Sequence, residues 1–189
     1  MKQIVKLVVS LTMISAVCAA VLATVNAITK AQIAAIREQA ALNAAKMVLP
    51  PVKTLEKIKG ENGEPDSFIG KNASGKTVAY AVVGDDPKGY GGVISLMVGL
   101  TPEKKIIGYK KLEAYETPGL GMNLVAEEFT RQFKGMDASK DLKVKKDGGE
   151  VEAITSATIT TRAVCRAINA ARRRLEALLP PATEGKASK

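Results

Sequence analysis

The 189-residue chain has no histidine, no tryptophan and only two cysteines, and its remaining aromatics are three phenylalanines and four tyrosines. Without histidine it lacks the commonest metal ligand and the commonest general base near neutral pH. That argues against a zinc or haem site and against a Ser-His-Asp triad. Cys18 falls in an apolar N-terminal run and Cys165 in an expected helix far along the chain, so no disulfide framework is expected. A formal charge of +9 calls for an anionic partner such as phospholipid headgroups or a phosphorylated cofactor. Scarce aromatics and the lack of a reader motif argue against nucleic acid. The plain alternative is that most of the lysines are solvated surface.

Charge is missing altogether from one stretch. Leu7 to Thr29, between Lys6 and Lys30, is 23 residues without a charged side chain. As a helix this run is about 35 Å long, enough to cross the hydrocarbon core of a bilayer. A cleaved signal peptide is the alternative, with Ala20 to Ala23 resembling a cleavage site. The run is long for that role and leads without a break into helix-prone sequence, so a retained anchor is expected. Ser15-Ala16-Val17 lacks the small residue that lipidation of Cys18 would need beside it. Lys2 and Lys6 favour a cytoplasmic N-terminus, weakly opposed by Lys30 and Arg37. The remainder is then expected outside the cytoplasm of a bacterium, held by a single pass through the inner membrane. Ala16, Ala19, Ala20 and Ala23 offer a small-residue face to neighbouring membrane helices.

After the span, Ala31–Met47 reads as a helical stalk that Pro50-Pro51 ends. Val52–Pro65 is charged and reads as a surface connection. Strands are expected at Ser67–Gly70, Thr77–Val83, Val93–Leu100 and Ile106–Leu112, separated by turn-forming patches. Asn123–Phe133 fits a helix with Asn123 as N-cap, and short strands are expected at Leu142–Val144 and Val151–Ile154. Ile159–Leu179 has the clearest helical spacing, with Val164, Ile168, Ala171, Leu175 and Leu178 on one face and Pro180-Pro181 after it. Strands followed by helices indicate an α+β fold: an N-terminal transmembrane helix, then an antiparallel sheet with flanking helices.

Two short motifs carry the chemistry. Glu152-Ala-Ile-Thr-Ser-Ala-Thr158 runs into Ile159-Thr-Thr-Arg162, placing Thr155, Ser156, Thr158, Thr160 and Thr161 around a helix start. Hydroxyls there commonly cap the helix, with Thr155 and Ser156 as N-cap candidates. The same place also suits an anion, because first-turn N–H groups are unpaired and the helix dipole is positive there. Ala157 leaves room for a bulky group to approach the backbone. The second motif, Glu116-Thr-Pro-Gly-Leu-Gly121, cannot continue a strand and on its own is a tight turn.

Together these motifs resemble a family of exported flavoproteins, the G subunit of the Rnf complex and the related C subunit of the sodium-pumping NADH:quinone reductase. The likeness extends to Gly89-Tyr-Gly-Gly92, to apolar Val93–Leu100 and to the order of all these parts. The short chain is more similar to the Rnf subunit. The resemblance implies an FMN-binding domain over residues 52–181, after residues 1–30 (N-terminus and membrane helix) and a stalk over 31–51, with a disordered tail at 182–189. It implies FMN held covalently as a phosphoester on Thr158, placed there from FAD by a magnesium-dependent flavin transferase. Thr155, Ser156, Ala157, Glu116, Thr117, Leu120 and Gly121 would surround it. Partners would be the other subunits of a membrane complex that couples electron transfer between ferredoxin and NAD to ion transport. The chain would then be a translocase subunit with no complete activity, and no catalytic residue, of its own.

Two positions depart from the family pattern. Glu152 stands where aspartate is usual, and Ser156 stands where glycine is usual, which implies ordinary backbone angles at that point. Arg162 and Arg166 have two readings, as phosphate contacts or as solvated helix charges, and Tyr90 or Tyr115 either stacks on the flavin or simply packs. The alternatives to the Rnf reading are an FMN-carrying subunit of a quinone reductase or other extracytoplasmic reductase, and a non-redox membrane-anchored adaptor.

Overall fold

A computed structural model describes residues 2–58 and 67–179. Helix α1 (Lys2–Val48) is followed by strands β1 (Thr54–Ile58), β2 (Ser67–Lys71), β3 (Thr77–Asp86), β4 (Ile94–Leu100) and β5 (Ile106–Ala114). A short α2 (Glu127–Thr130) and a long α3 (Thr158–Leu178) complete the regular elements, with 3-10 turns between. The strands form one antiparallel sheet in chain order. The expected α+β class is therefore the observed one.

The chain divides into two units, residues 1–39 and 40–189. In the first, α1 presents Leu7, Leu11, Val17, Leu22 and Ile28 exposed, in a helix long and apolar enough to cross a membrane. In the second unit the last turns of α1 are not a free stalk. Ala41, Ala44, Ala45, Val48 and Leu49 are buried with Phe68, Ala79, Ala81, Val83 and Met97 on one face of the sheet.

The other face belongs to α3. Strand alternation sends Val82, Ile94, Leu96, Val98 and Leu100 towards Val164, Ile168, Ala171 and Leu175. Gly84 lies under the helix, where a Cβ would come within 2.0 Å of the Ala167 carbonyl oxygen. Tyr109, Phe129 and Phe133 meet edge to face, with centroids 5.4 and 5.3 Å apart. The Tyr109 hydroxyl donates to the Leu124 carbonyl at 2.5 Å, and burial pushes the phenol pKa up. This cluster anchors the turn that follows the Glu116–Gly121 loop.

Three local expectations are corrected. Thr54–Ile58, read as surface connection, is an edge strand whose charged residues hid the half-buried Leu55 and Ile58. The Asn123–Phe133 helix is broken into a 3-10 turn at Gly121–Val125, α2 and a second 3-10 turn at Arg131–Phe133, because Ala126 is extended (φ −63°, ψ 138°). Asn123 therefore caps nothing; its amide donates to the Gly119 carbonyl at 3.0 Å. The strands expected at 142–144 and 151–154 reduce to one bridge, Val144 to Val151. The tail at 182–189 lies outside the described residues.

Candidate functional site

The hydroxyl-rich motif makes a turn and then becomes α3. Thr161 ties the turn down: its hydroxyl accepts from the Ile154 N–H at 3.0 Å and donates to the Ala157 carbonyl at 3.1 Å. Ser156 takes a left-handed conformation, φ +61°, contrary to the ordinary angles its identity implied. The turn geometry favours glycine, and serine occupies it at some cost in strain. The capping expectation also fails. The N-cap is Ala157, and no side chain caps the helix. First-turn N–H groups of α3 therefore remain available to an outside acceptor.

The motif's hydroxyls divide by what they bond. Thr160 and Thr161 are buried and bonded internally. Among the described residues the Thr158 hydroxyl has no hydrogen-bond partner, and this half-buried residue is the first of α3.

Glu116 builds the opposite wall. Although 5% exposed, it carries a carboxylate, and no cation among the described residues pairs with it. Its Oε1 accepts from the backbone N–H of Tyr90 at 2.9 Å and Gly91 at 3.3 Å. Its Oε2 accepts from the Thr160 hydroxyl at 2.7 Å. One side chain thereby joins the glycine-rich turn, its own loop and the start of α3. The glycines make room for it: a Cβ on Gly121 would lie 2.4 Å from Oε2, and one on Gly89 2.8 Å from Oε1. Gly119 turns the loop at φ +74°.

Between these walls lies a cleft of about 460 Å³, within the range of small-ligand sites. Thr158, Ser156, Ala157, Glu116, Thr117, Leu120 and Gly121 all line it, so two motifs over thirty residues apart in sequence share one surface. Tyr90, Ile159 and Thr160 complete the lining. Thr155 is exposed and is not among the lining residues. Neither is Tyr115, which is 68% exposed. Thr160 and Ile159 were missed by the sequence reading. Thr160 had a signal, since it follows Thr158 by two residues and turns inward where the helix face was already predicted apolar.

Both arginines are engaged elsewhere. Arg162 makes two 2.7 Å bonds to Asp147, and Arg166 bonds Asp86 at 2.8 Å and the Lys88 carbonyl at 3.1 Å. Glu152 is exposed, pairs with Lys145 and exchanges backbone bonds with the Gln132 amide. Cys165 is no nucleophile here, because burial pushes its thiol up to about 12.

Comparison with known proteins bears on this cleft. The FMN-binding domain family matches residues 89–173, which contain all of its lining. The chain is 34% identical to the G subunit of the ion-translocating oxidoreductase complex of Methanosarcina acetivorans, over 90% of this chain and 93% of that one. It is also 34% identical to the G subunit of the Na(+)-translocating ferredoxin:NAD(+) oxidoreductase complex of Acetobacterium woodii, over 89% of each. Among solved structures, the C subunit of the Na(+)-translocating NADH-quinone reductase from Parabacteroides distasonis superposes with a TM-score of 0.56 at 18% identity, covering 81% of this chain and 96% of that one. Shewanella oneidensis NqrC does so at 0.51 and 23%, covering 71% and 73%. These two likenesses concern the fold.

Proposed function

The chain belongs to the G-subunit family of ion-translocating oxidoreductase complexes, and from that premise we propose that it carries FMN covalently on Thr158 as their electron-carrying subunit. The complex would couple electron transfer between ferredoxin and NAD to ion transport. The observation that carries the proposal is Thr158 itself: an uncommitted hydroxyl at the first residue of an uncapped helix, lining a cleft with the Glu116–Gly121 loop.

The residues present fit such a cofactor. The N-terminus of α3 supplies N–H groups and positive dipole for a phosphate. Ala157 and Gly121 keep the backbone accessible, and Leu120, Ile159 and Tyr90 supply apolar surface for a flavin ring. Bound there, FMN would supply one- and two-electron chemistry that no side chain of this chain offers. In attachment, Thr158 Oγ1 would form the new P–O bond to the flavin phosphate of FAD, giving up its proton, while AMP departs. A flavin transferase would perform that exchange, in keeping with a site where the described residues form no cluster of metal ligands. Lys2 and Lys6 ahead of the apolar span support a cytoplasmic N-terminus with the domain on the other side.

Mass spectrometry of the full chain, produced with a flavin transferase, tests this directly. The peptide containing Thr158 should be heavier by one FMN residue, and Thr158→Ala should lose in-gel flavin fluorescence completely. An unmodified wild-type peptide would overturn the proposal. The adaptor alternative loses its support, because it needed the hydroxyls as caps and none caps α3.

A further inference from the structure

We infer that Glu116 is a positioning residue that also sets the cleft's electron affinity, its buried negative charge opposing reduction of the flavin; this rests on the proposed binding of FMN in the cleft. The motif Glu116–Gly121 is so far explained as a wall and a turn. A turn does not need a carboxylate, and a buried one is costly unless its hydrogen bonds are complete.

Here they are unusually one-sided. The three partners are two backbone N–H groups and one hydroxyl, all donating to the carboxylate. Three donors converge on one carboxylate at a place that is 5% exposed. The other buried carboxylate on a neighbouring segment, Asp86, has Arg166 to neutralise it. Glu116 has no such cation among the described residues, and only backbone and hydroxyl dipoles face its charge.

An electron arriving in this cleft from a donor adds negative charge until a proton from solvent follows it. A fixed carboxylate on the same wall raises the free energy of that state, and surroundings of lowered dielectric strengthen the effect. The backbone donors give the charge a second duty. They lock the glycine-rich turn to the loop, so the charge and the cleft shape are set by one side chain.

Charge and shape separate by substitution. Glu116→Gln preserves length, lets the amide oxygen accept from Tyr90 and Gly91, and lets the amide nitrogen donate to Thr160. Redox titration of the flavin-loaded full chain in detergent should show the Gln variant easier to reduce. The equilibrium constant should rise roughly tenfold, which is ~30 mV for a two-electron couple. Glu116→Asp keeps the charge and should stay within about twofold of wild type. A loaded Gln variant with unchanged potential would overturn the inference and leave Glu116 a structural clamp. Should the Gln variant not load, Glu116→Ala decides: a flavin easier to reduce than in the Asp variant upholds the charge, and equal potentials overturn it. Absence of FMN from the wild-type Thr158 peptide would instead sink the binding proposal, before any potential is read.

Discussion

The two faces of the sheet are closed by different means. The α3 face is filled by branched and aromatic side chains, Ile94, Leu96, Val98, Leu124, Phe133 and Ile168 among them. On the opposite face the last turns of α1 come down on Ala79, Ala81 and Gly99, and Ala41, Ala44 and Ala45 are most of what the helix buries there. A Cβ on Gly99 would lie 2.2 Å from a methyl of Val48. The first arrangement buries much apolar area per residue, and the second relies on close backbone approach. Only the first face leads to the cleft, because α3 begins there with the hydroxyl motif. Stability and site are thus built into the same helix, whereas the α1 face contributes none of the cleft's lining.

The sharpest way to break this comparison is to add one methyl to each face. Gly84→Ala on the α3 face meets backbone, 2.0 Å from the Ala167 oxygen and 2.8 Å from the Ala171 nitrogen. Neither can rotate away, so the helix must shift, at an expected cost of about 3 kcal/mol or more. Gly99→Ala meets chiefly the end of the Val48 side chain, with the Val48 carbonyl at 3.2 Å, and should cost ~1–2 kcal/mol. Thermal unfolding of the full chain in detergent measures both. Flavin attachment should fall with Gly84→Ala and persist with Gly99→Ala. Equal losses would show that the two faces are equally rigid and end the distinction.

A smaller effect is expected inside the site. Ser156 holds φ +61°, a conformation that costs a non-glycine residue ~1 kcal/mol or more. Ser156→Gly removes that strain but adds unfolded-state entropy, so a net gain of ~0.5 kcal/mol is expected. A rise in melting temperature with unchanged flavin loading is the expected result, and a fall would mean the Ser156 side chain contributes something the turn needs.

Much of this was legible in the sequence, for identifiable reasons. The β-meander announced itself through turn residues between apolar runs, and α3 through its regular apolar spacing. The cleft was legible only as two motifs, since nothing in Glu116–Gly121 alone indicates that it faces Thr158. What escaped depended on partners distant in sequence. Thr54–Ile58 carries charge at two of its five positions and becomes a strand only because β2 lies beside it. Leu124 and Phe129 are five apart, a spacing that no single helix face provides, and the break at Ala126 resolves it. Ser156 misled because residue identity predicts preferred angles, while Thr161 on one side and the turn at Ile154 on the other fix the actual ones.

The smallest expected effect lies on the exposed margin of the α3 face, where Arg162 holds the Lys145–Asp147 turn through Asp147. The hydrogen bonds from Arg162 hold the Asp147 carboxyl below the usual carboxylate range, partly opposed by desolvation. The folded protein therefore binds this proton less readily than the unfolded chain. Its contribution to stability is complete above the ordinary carboxylate range and is lost as pH falls through the lowered value. Both partners are roughly two-fifths exposed, at 41% and 38%, so solvent screens the pair and the contribution is small. Asp147→Asn should leave stability at neutral pH nearly unchanged and flatten the acid limb of the stability–pH curve slightly. Added salt should narrow the difference between variant and wild type. A large loss at neutral pH would mean that this margin, unlike the interior of the same face, is held by its ion pair and not by packing beneath it.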